Sequence, residues 1–171
     1  KVGVAGLGAI GMPVARWLDG GVERLSLSGV SAGKKERAAR RVSDFKTPPV
    51  VSDLAKLVAA SDVLVEALPP DQFLGLAEPT VAAGKTLIVL TLTSLLTRMD
   101  LVETARETGA QIICATGALV GFDAVRAAAK GEVTSITMKT RKPPEGLKKA
   151  TFVVEQGINL DDLSEPLCLY S

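Results

Sequence analysis

The sequence has 171 residues, of which 47% are hydrophobic, and a formal net charge of +1. This length suits one globular domain or one domain plus part of another. The near-neutral charge gives no electrostatic reason to expect nucleic acid or an anionic membrane as a partner, and no apolar run is long enough to span a bilayer. Histidine is absent, which excludes Ser-His-Asp and Cys-His nucleophiles within this sequence. Two cysteines without a spacing motif indicate reduced thiols in a cytoplasmic protein and no metal site.

The first eleven residues predict a strand, a glycine turn and the start of a helix. An apolar run ending at Ala5 leads into Gly6-Leu-Gly-Ala-Ile-Gly11, and an amphipathic stretch follows at 12–18. In this context GxGxxG is the fingerprint of dinucleotide binding, because the turn brings free backbone N–H groups and the helix N-terminus to a pyrophosphate. The alternative is a structural turn without a ligand. The predicted cofactor contacts of the turn are Gly6, Gly8, Ala9, Ile10 and Gly11.

Strands and helices alternate along the next hundred residues. The predicted strands cover 24–30, 49–51, 62–67, 85–90 and 110–114, and the predicted helices cover 33–41, 53–60, a stretch from about 71, and 99–108. We expect Ser52 to cap the second of these helices, Pro79 to bend or interrupt the third, and Gly109 to end the fourth. This order predicts an α/β fold, a Rossmann-type doubly wound parallel sheet over residues 1–114.

The remaining residues, 115–171, predict the beginning of a second α/β domain. A helix is expected at 123–130, and alternating apolar residues at 132–140 favour a strand. Short apolar runs at 151–154 and 167–170 are candidates for further strands. Two strands and one helix make a thin core.

The end of the second predicted strand bears on the choice of cofactor. NAD-selective folds place an acidic residue about twenty positions after the glycines, and here Ser31 occupies that position. Lys34, Lys35 and Arg37 follow, and these cations could hold a 2′-phosphate. The pattern favours NADP over NAD, whereas the alternative is that the charges are only solvated.

Four further residues lie where ligands bind in such sheets, near the carboxyl ends of strands. Leu68 closes the fourth strand and is a predicted cofactor contact. Glu66, two residues earlier, is predicted either to act in catalysis or, by preference, to orient a loop. Gly117 and Ala118 precede a helix, so their N–H groups could face a carboxylate or the nicotinamide amide; the alternative is an ordinary strand-to-helix turn.

Several phrases together resemble one family, the L-aspartate dehydrogenases. They are Gly6-Leu-Gly-Ala-Ile-Gly11, Ser61-Asp-Val-Leu-Val-Glu-Ala67, Thr116-Gly-Ala118 with Gly121-Phe-Asp-Ala124, and Thr140-Arg-Lys-Pro-Pro144. The resemblance implies a Rossmann domain followed by a catalytic α/β domain that also forms a homodimer. It implies oxidation of the small-molecule substrate L-aspartate to iminoaspartate with NAD or NADP, a reaction linked to NAD biosynthesis. It also implies that the backbone amide of Ala118 contacts the cofactor.

Two departures from the family pattern leave alternatives open. Thr116 and Val120 stand where the family has serine and glycine, which crowds the nicotinamide side. The catalytic histidine of the family has no counterpart in these 171 residues. We therefore expect either a piece of a longer enzyme or a non-catalytic NADP-binding module, and we expect no aspartate dehydrogenase activity from these residues alone. An amine or imine dehydrogenase acting on another small acid is a further alternative.

Overall fold

A computed structural model describes residues 1–116, 122–148, 150–161 and 163–169 of the chain. The chain divides into two compact units, Lys1–Val120 and Gly121–Ser171. The first unit is a six-stranded parallel sheet, which confirms the predicted Rossmann-type fold. Its strands are β1 (Val2–Ala5), β2 (Leu27–Ser31), β3 (Val51–Ser52), β4 (Val63–Glu66), β5 (Thr86–Val89) and β6 (Gln111–Cys114).

The sheet has the strand order β3-β2-β1-β4-β5-β6. The chain leaves β1 toward β2 on one side and returns to β4 on the other, so the order reverses between β1 and β4. In a doubly wound sheet this reversal opens a crevice at the carboxyl ends of the two central strands, where ligands bind. The residues that follow Ala5 and Glu66, which are Cα partners in the ladder, therefore border the expected ligand crevice.

Helices connect the strands and cover both sides of the sheet. They are α1 (Gly11–Asp19), α2 (Lys35–Arg41), α3 (Leu54–Ala60), α4 (Phe73–Ala82), α5 (Leu92–Leu96) and α6 (Asp100–Thr108), with a 3-10 turn at Pro70–Gln72. Successive residues of a strand point to opposite faces, and accordingly Leu64 and Val65 belong to different apolar clusters. One cluster packs α1 and α2 on the sheet, and the other packs α3, α4 and α6.

The structure corrects two details of the helix predictions. Ser52 belongs to β3, and the side chain of Asp53 caps α3 instead, accepting a hydrogen bond from the backbone N–H of Lys56 at 2.9 Å. Pro79 does not interrupt α4, which runs from Phe73 to Ala82 and contains it. Gly109 ends α6 as predicted, with a φ of 77° that favours glycine.

In the described residues of the second unit, α7 (Phe122–Ala128), a 3-10 turn at Pro144–Gly146 and α8 (Thr151–Glu155) are the regular elements. The predicted helix near 123–130 is confirmed. The strand expected at 132–140 is absent, and residues 151–154, which had been candidates for a strand, lie in α8. Val153 on that helix and Leu160 beyond it are buried. The candidate strand at 167–170 has no regular structure over its described part, 167–169.

Candidate cofactor-binding site

A cleft of about 550 Å³ lies at the carboxyl edge of the sheet beside the glycine turn. The turn contributes Gly6 and Gly8 to its lining, the segment after β4 contributes Leu68, and the segment after β2 contributes Ala32 and Gly33. This first cleft therefore sits at the crevice between β1 and β4 that the strand order predicts. Of the residues proposed from the sequence, Gly6, Gly8, Lys34, Arg37 and Leu68 line it.

Two of the three fingerprint glycines are required by the protein's own packing. Gly6 has a φ of 92°, and a Cβ there would collide with the carbonyl group of Ala67. A Cβ at Gly11 would collide with the carbonyl oxygen of Gly6. Gly11 is buried and lies outside the lining of the cleft. Both glycines thus serve the close approach of β1, the turn, α1 and β4.

Gly8 differs from these two glycines. A Cβ at Gly8 would meet no protein atom within 4 Å, so packing in the protein does not explain the glycine. Gly8 also lines the first cleft and a second one described below. A glycine that leaves room beside the backbone, at the N-terminal side of α1, matches what a pyrophosphate needs to reach backbone N–H groups. The described residues thus fit a dinucleotide at this turn.

Three cations line one wall of the first cleft: Lys34, Arg37 and Arg41. Arg37 and Arg41 are four residues apart on α2 and Lys34 precedes it, so the three lie along one face. None of the lining residues is acidic, and within the described part of the chain none of these three side chains forms an ion pair. Like charges grouped in this way raise the local affinity for an anion.

Arg41 was missed in the sequence reasoning, although its spacing from Arg37 could have indicated it. Its Nη1 donates a 2.6 Å hydrogen bond to the carbonyl oxygen of Leu7, within the glycine turn. Pro69, which directly follows the predicted contact Leu68, also lines the cleft, and so does Gln72, which was not anticipated.

The structure places Ser31 and Lys35 differently from Lys34. Ser31 is the last residue of β2 and is buried, and its carbonyl oxygen accepts a 2.8 Å hydrogen bond from the N–H of Gly6. The cleft is lined by the next two residues, Ala32 and Gly33, rather than by Ser31. Lys35 is exposed but does not line the cleft.

A second, smaller cleft of about 290 Å³ opens on the other side of the turn. It contains the remaining turn residues proposed from the sequence, Ala9 and Ile10, together with Leu68. Leu90 and Thr91, which follow β5, complete the far wall. Gly8, Ala67 and Leu68 line both clefts, so a ligand that passes over the turn can contact both.

Glu66 lies behind the wall of the second cleft, at the end of β4. Its side chain is fully buried and lines neither cleft. The carboxylate accepts hydrogen bonds from the N–H groups of Leu68, Leu90 and Thr91 and from the hydroxyl of Thr91. Of the two roles considered for Glu66, this arrangement favours the orientation of loops.

The first cleft carries the cations Lys34, Arg37 and Arg41, which can bind an anion. The second cleft is lined mainly by apolar residues. Among the described residues, no group of histidine, cysteine and acidic side chains is arranged to hold a metal ion. None of the described helices combines the length and apolarity needed to cross a membrane. The proposed contact at Ala118 falls outside the described residues.

Comparison with protein families gives two matches that together cover most of the chain. Residues 6–115 match the family described as homoserine dehydrogenase, NAD binding domain. Residues 123–171 match the family described as aspartate dehydrogenase, C-terminal. The first match contains the glycine turn and both clefts.

Curated relatives match almost the whole chain. An L-aspartate dehydrogenase from Bradyrhizobium diazoefficiens is 42% identical over 170 residues, which are 99% of this chain and 60% of the relative. L-aspartate dehydrogenase 3 from Bordetella bronchiseptica is 40% identical over 99% of this chain and 63% of its own length. One from Methanocella arvoryzae is 31% identical over the full chain and 64% of its own length. The chain thus spans about three fifths of the length of these relatives.

Solved structures share the fold. UDP-N-acetylglucosamine 3-dehydrogenase from Acidithiobacillus ferrooxidans superposes with a TM-score of 0.54 over 67% of this chain and 37% of the other, at 21% identity. Scyllo-inositol dehydrogenase from Lactobacillus casei gives a TM-score of 0.52 over 66% of this chain and 35% of the other, at 17% identity. At these identities the likeness concerns the fold alone.

Proposed function

Residues 6–115 belong to the family described as homoserine dehydrogenase, NAD binding domain, and we propose that the chain is part of an L-aspartate dehydrogenase whose first unit binds NAD or NADP for the oxidation of L-aspartate. The proposal depends most on Gly8. This residue lines both clefts, and no protein atom lies within 4 Å of the place where its Cβ would be, so packing does not explain why it is a glycine. The room beside Gly8 suits a pyrophosphate between an adenosine half in the first cleft and a nicotinamide half in the second.

The described residues suit separate tasks in this reaction. When bound, the dinucleotide supplies the hydride acceptor. The cations of the first cleft attract its phosphates, and the apolar side chains of Ile10 and Leu68 exclude water from the second cleft. We assign no general base in this chain, because the commonest one, histidine, is absent.

The activity of the whole protein is part of the proposal. About two fifths of the length of these relatives lies outside the stretch that this chain matches, and we propose that the complete enzyme uses residues outside these 171 to complete catalysis. The product iminoaspartate either feeds NAD biosynthesis or hydrolyses to oxaloacetate and ammonia. We propose a cytoplasmic homodimer in which residues 115–171 form part of the catalytic and dimerisation domain and Ala118 contacts the cofactor through its backbone amide.

For the cofactor, we propose a preference for NADP over NAD. Lys34, Arg37 and Arg41 line the first cleft without an acidic neighbour in its lining. A 2′-phosphate beside Lys34 and Arg37 would gain charge-assisted hydrogen bonds that a hydroxyl does not make, whereas Arg41 already donates to the carbonyl oxygen of Leu7. Ser31, the position first considered, is buried behind this wall.

A second candidate is a dinucleotide-binding module without catalysis of its own, favoured by the absence of histidine from these 171 residues. Another small acid as substrate is a weaker alternative, since the named relatives are L-aspartate dehydrogenases.

Calorimetric titration of the 171-residue protein with NADP⁺ and NAD⁺ tests the binding proposal, with Gly8→Val as the variant that fills the turn. We expect binding by the natural protein and loss of binding in the variant with its melting temperature retained. Reduction of NADP⁺ by L-aspartate, catalysed by protein from the complete reading frame, tests the reaction. Binding without turnover in that protein would favour the module.

A further inference from the structure

Glu66 is a buried acid whose hydrogen-bonding capacity is used entirely within one corner of the sheet. Its Oε1 accepts from the N–H of Leu68 at 2.8 Å and from the hydroxyl of Thr91 at 2.9 Å. Its Oε2 accepts from the N–H groups of Leu90 at 3.1 Å and Thr91 at 2.8 Å. Every partner is a donor from one of two loops.

These two loops follow neighbouring parallel strands. Leu68 lies just beyond β4, and Leu90 and Thr91 lie just beyond β5, whose residue Val89 is the Cα partner of Glu66. The β4–β5 ladder ends at this pair. Beyond it, the backbone N–H groups of Leu68, Leu90 and Thr91 donate to the Glu66 carboxylate instead of to the neighbouring strand. A single side chain thereby ties both loops to the end of β4.

A buried carboxylate is a costly way to satisfy backbone N–H groups, because burial of an acid opposes folding unless the group is fully hydrogen-bonded. No cation forms an ion pair with Glu66 within the described residues. Its four hydrogen bonds must therefore offset the burial, which requires the two loops to keep one geometry.

The loops held in this way form a wall of the second cleft. Leu90 and Thr91 line that cleft and not the first, whereas Leu68 lines both. The cations of the first cleft have no hydrogen bond to Glu66 among the described residues. A change at Glu66 should therefore act mainly on whatever occupies the second cleft.

We infer that Glu66 is a positioning residue that fixes the second-cleft wall against the nicotinamide half of the cofactor. The inference rests on the proposed binding of a dinucleotide across Gly8. Glu66 does not touch the ligand, since it lines neither cleft. It acts through Leu68 and Thr91, and the nicotinamide half is the part of the ligand that depends on it.

The test compares the affinity for a whole dinucleotide with that for the same molecule lacking nicotinamide. NAD⁺ and ADP-ribose are titrated separately. If the natural protein binds NADP⁺ more tightly, the pair is NADP⁺ and 2′-phospho-ADP-ribose. In Glu66→Gln an amide N–H₂ faces loop N–H donors, and the wall loses at least one hydrogen bond. We expect about tenfold weaker binding of the dinucleotide, the size expected from one such loss, and an affinity for the fragment within about twofold of the natural protein.

Thr80→Val is the matched control for lost stability. Thr80 is fully buried in α4, lines neither cleft, and donates a 2.6 Å hydrogen bond to the carbonyl oxygen of Leu76. We expect this variant to lower the melting temperature and leave both affinities unchanged. Equal losses for dinucleotide and fragment in Glu66→Gln, or no loss for either, would overturn the inference. Binding of neither probe by the natural protein would overturn the proposed function and, with it, the inference.

A second pair of variants covers the case in which Glu66→Gln does not fold. Thr91→Val removes the hydroxyl that donates to Glu66 at 2.9 Å and also lies 3.3 Å from the carbonyl oxygen of Leu68, and Thr91→Ser keeps it. We expect Thr91→Val to weaken the dinucleotide several-fold relative to the fragment, and Thr91→Ser to retain the natural ratio. The same ratio in both variants would contradict the inference.

Discussion

The guanidinium of Arg41 donates a hydrogen bond of 2.6 Å from Nη1 to the carbonyl oxygen of Leu7. This contact joins the last residue of α2 to the glycine turn, so that one cation of the first cleft also holds the turn. Arg37, one turn of helix earlier, lines the same cleft without such a bond among the described contacts. The two arginines should therefore affect cofactor binding in different ways.

We expect Arg41→Met to weaken NAD⁺ and NADP⁺ alike, because the turn that both cofactors cross loses its tie to α2. Arg37→Met should weaken NADP⁺ alone by up to about fivefold, the value of one exposed ionic contact. Calorimetric titration at low salt measures both affinities. Arg40→Met, which removes an exposed charge outside the cleft lining, should change neither, and a selective loss of NADP⁺ in Arg41→Met would contradict the assignment.

An acid introduced at Gly33 should reverse the cofactor preference. Gly33 lines the first cleft, and a Cβ there meets no protein atom within 4 Å. The carboxylate of Gly33→Asp would repel a 2′-phosphate and could accept a hydrogen bond from a ribose hydroxyl. The dissociation constant of NAD⁺ divided by that of NADP⁺ should fall by roughly 10-fold or more in this variant.

Ser31→Asp, which the sequence alone suggests for this purpose, should instead lower the melting temperature, because Ser31 is buried. A switch in cofactor preference from Ser31→Asp, with none from Gly33→Asp, would show that the ribose lies at the end of β2 itself.

The fingerprint glycines should separate into two classes on substitution. Gly11→Ala should strongly destabilise the protein, since the new Cβ collides with the carbonyl oxygen of Gly6. Gly8→Ala should leave the melting temperature close to the natural value and weaken dinucleotide binding. Thermal denaturation gives the melting temperature of each variant, and titration of the same preparations gives its affinity for the dinucleotide. Equal decreases in melting temperature in both variants would refute the role given to Gly8.

Asp53 should contribute stability that depends on pH. The backbone N–H of Lys56, which donates a hydrogen bond of 2.9 Å to Asp53 Oδ1, lowers the pKa of this carboxyl. Because the pKa in the folded protein is below the unfolded value of about 3.9, the stabilisation is present above that pH. It is lost as the pH falls through the lower, folded pKa.

Asp53→Asn keeps a capping oxygen but does not titrate. The difference in melting temperature between the natural protein and this variant should therefore shrink as the pH is lowered from 6 to 2.5. A difference that is constant over this range would show that the carboxylate of Asp53 has no special stabilisation.

The 171-residue chain should have no measurable L-aspartate dehydrogenase activity. Amine oxidation requires a group that removes a proton from the substrate, and the chain has no histidine to serve as that base. A steady-state assay of the purified chain with L-aspartate and either cofactor checks this. Turnover above about one per second, an ordinary enzymatic rate, would show that another residue performs the proton transfer.

The sequence by itself was sufficient for the Rossmann-type fold and the cofactor class. Apolar runs of strand length, helical periodicity and the glycine turn are local patterns, and their order along the chain dictates a parallel sheet with helical crossovers. The same local patterns were misleading at 132–140 and 151–154, where alternation or a short apolar run indicated strands. A strand needs a neighbour to pair with, and sequence periodicity does not contain that information.

Only the tertiary structure decided which of the residues proposed for the site meet at a cleft. Lys34 and Arg37 line the same cleft, whereas Ser31, between the glycine turn and Lys34 in sequence, is buried and does not line it. Likewise, the choice between catalysis and positioning for Glu66 depended on donors 24 and 25 residues away in sequence. Such contacts arise where the ends of separate parallel strands come together, so their chemistry is set by strand order and register rather than by neighbouring residues in the chain.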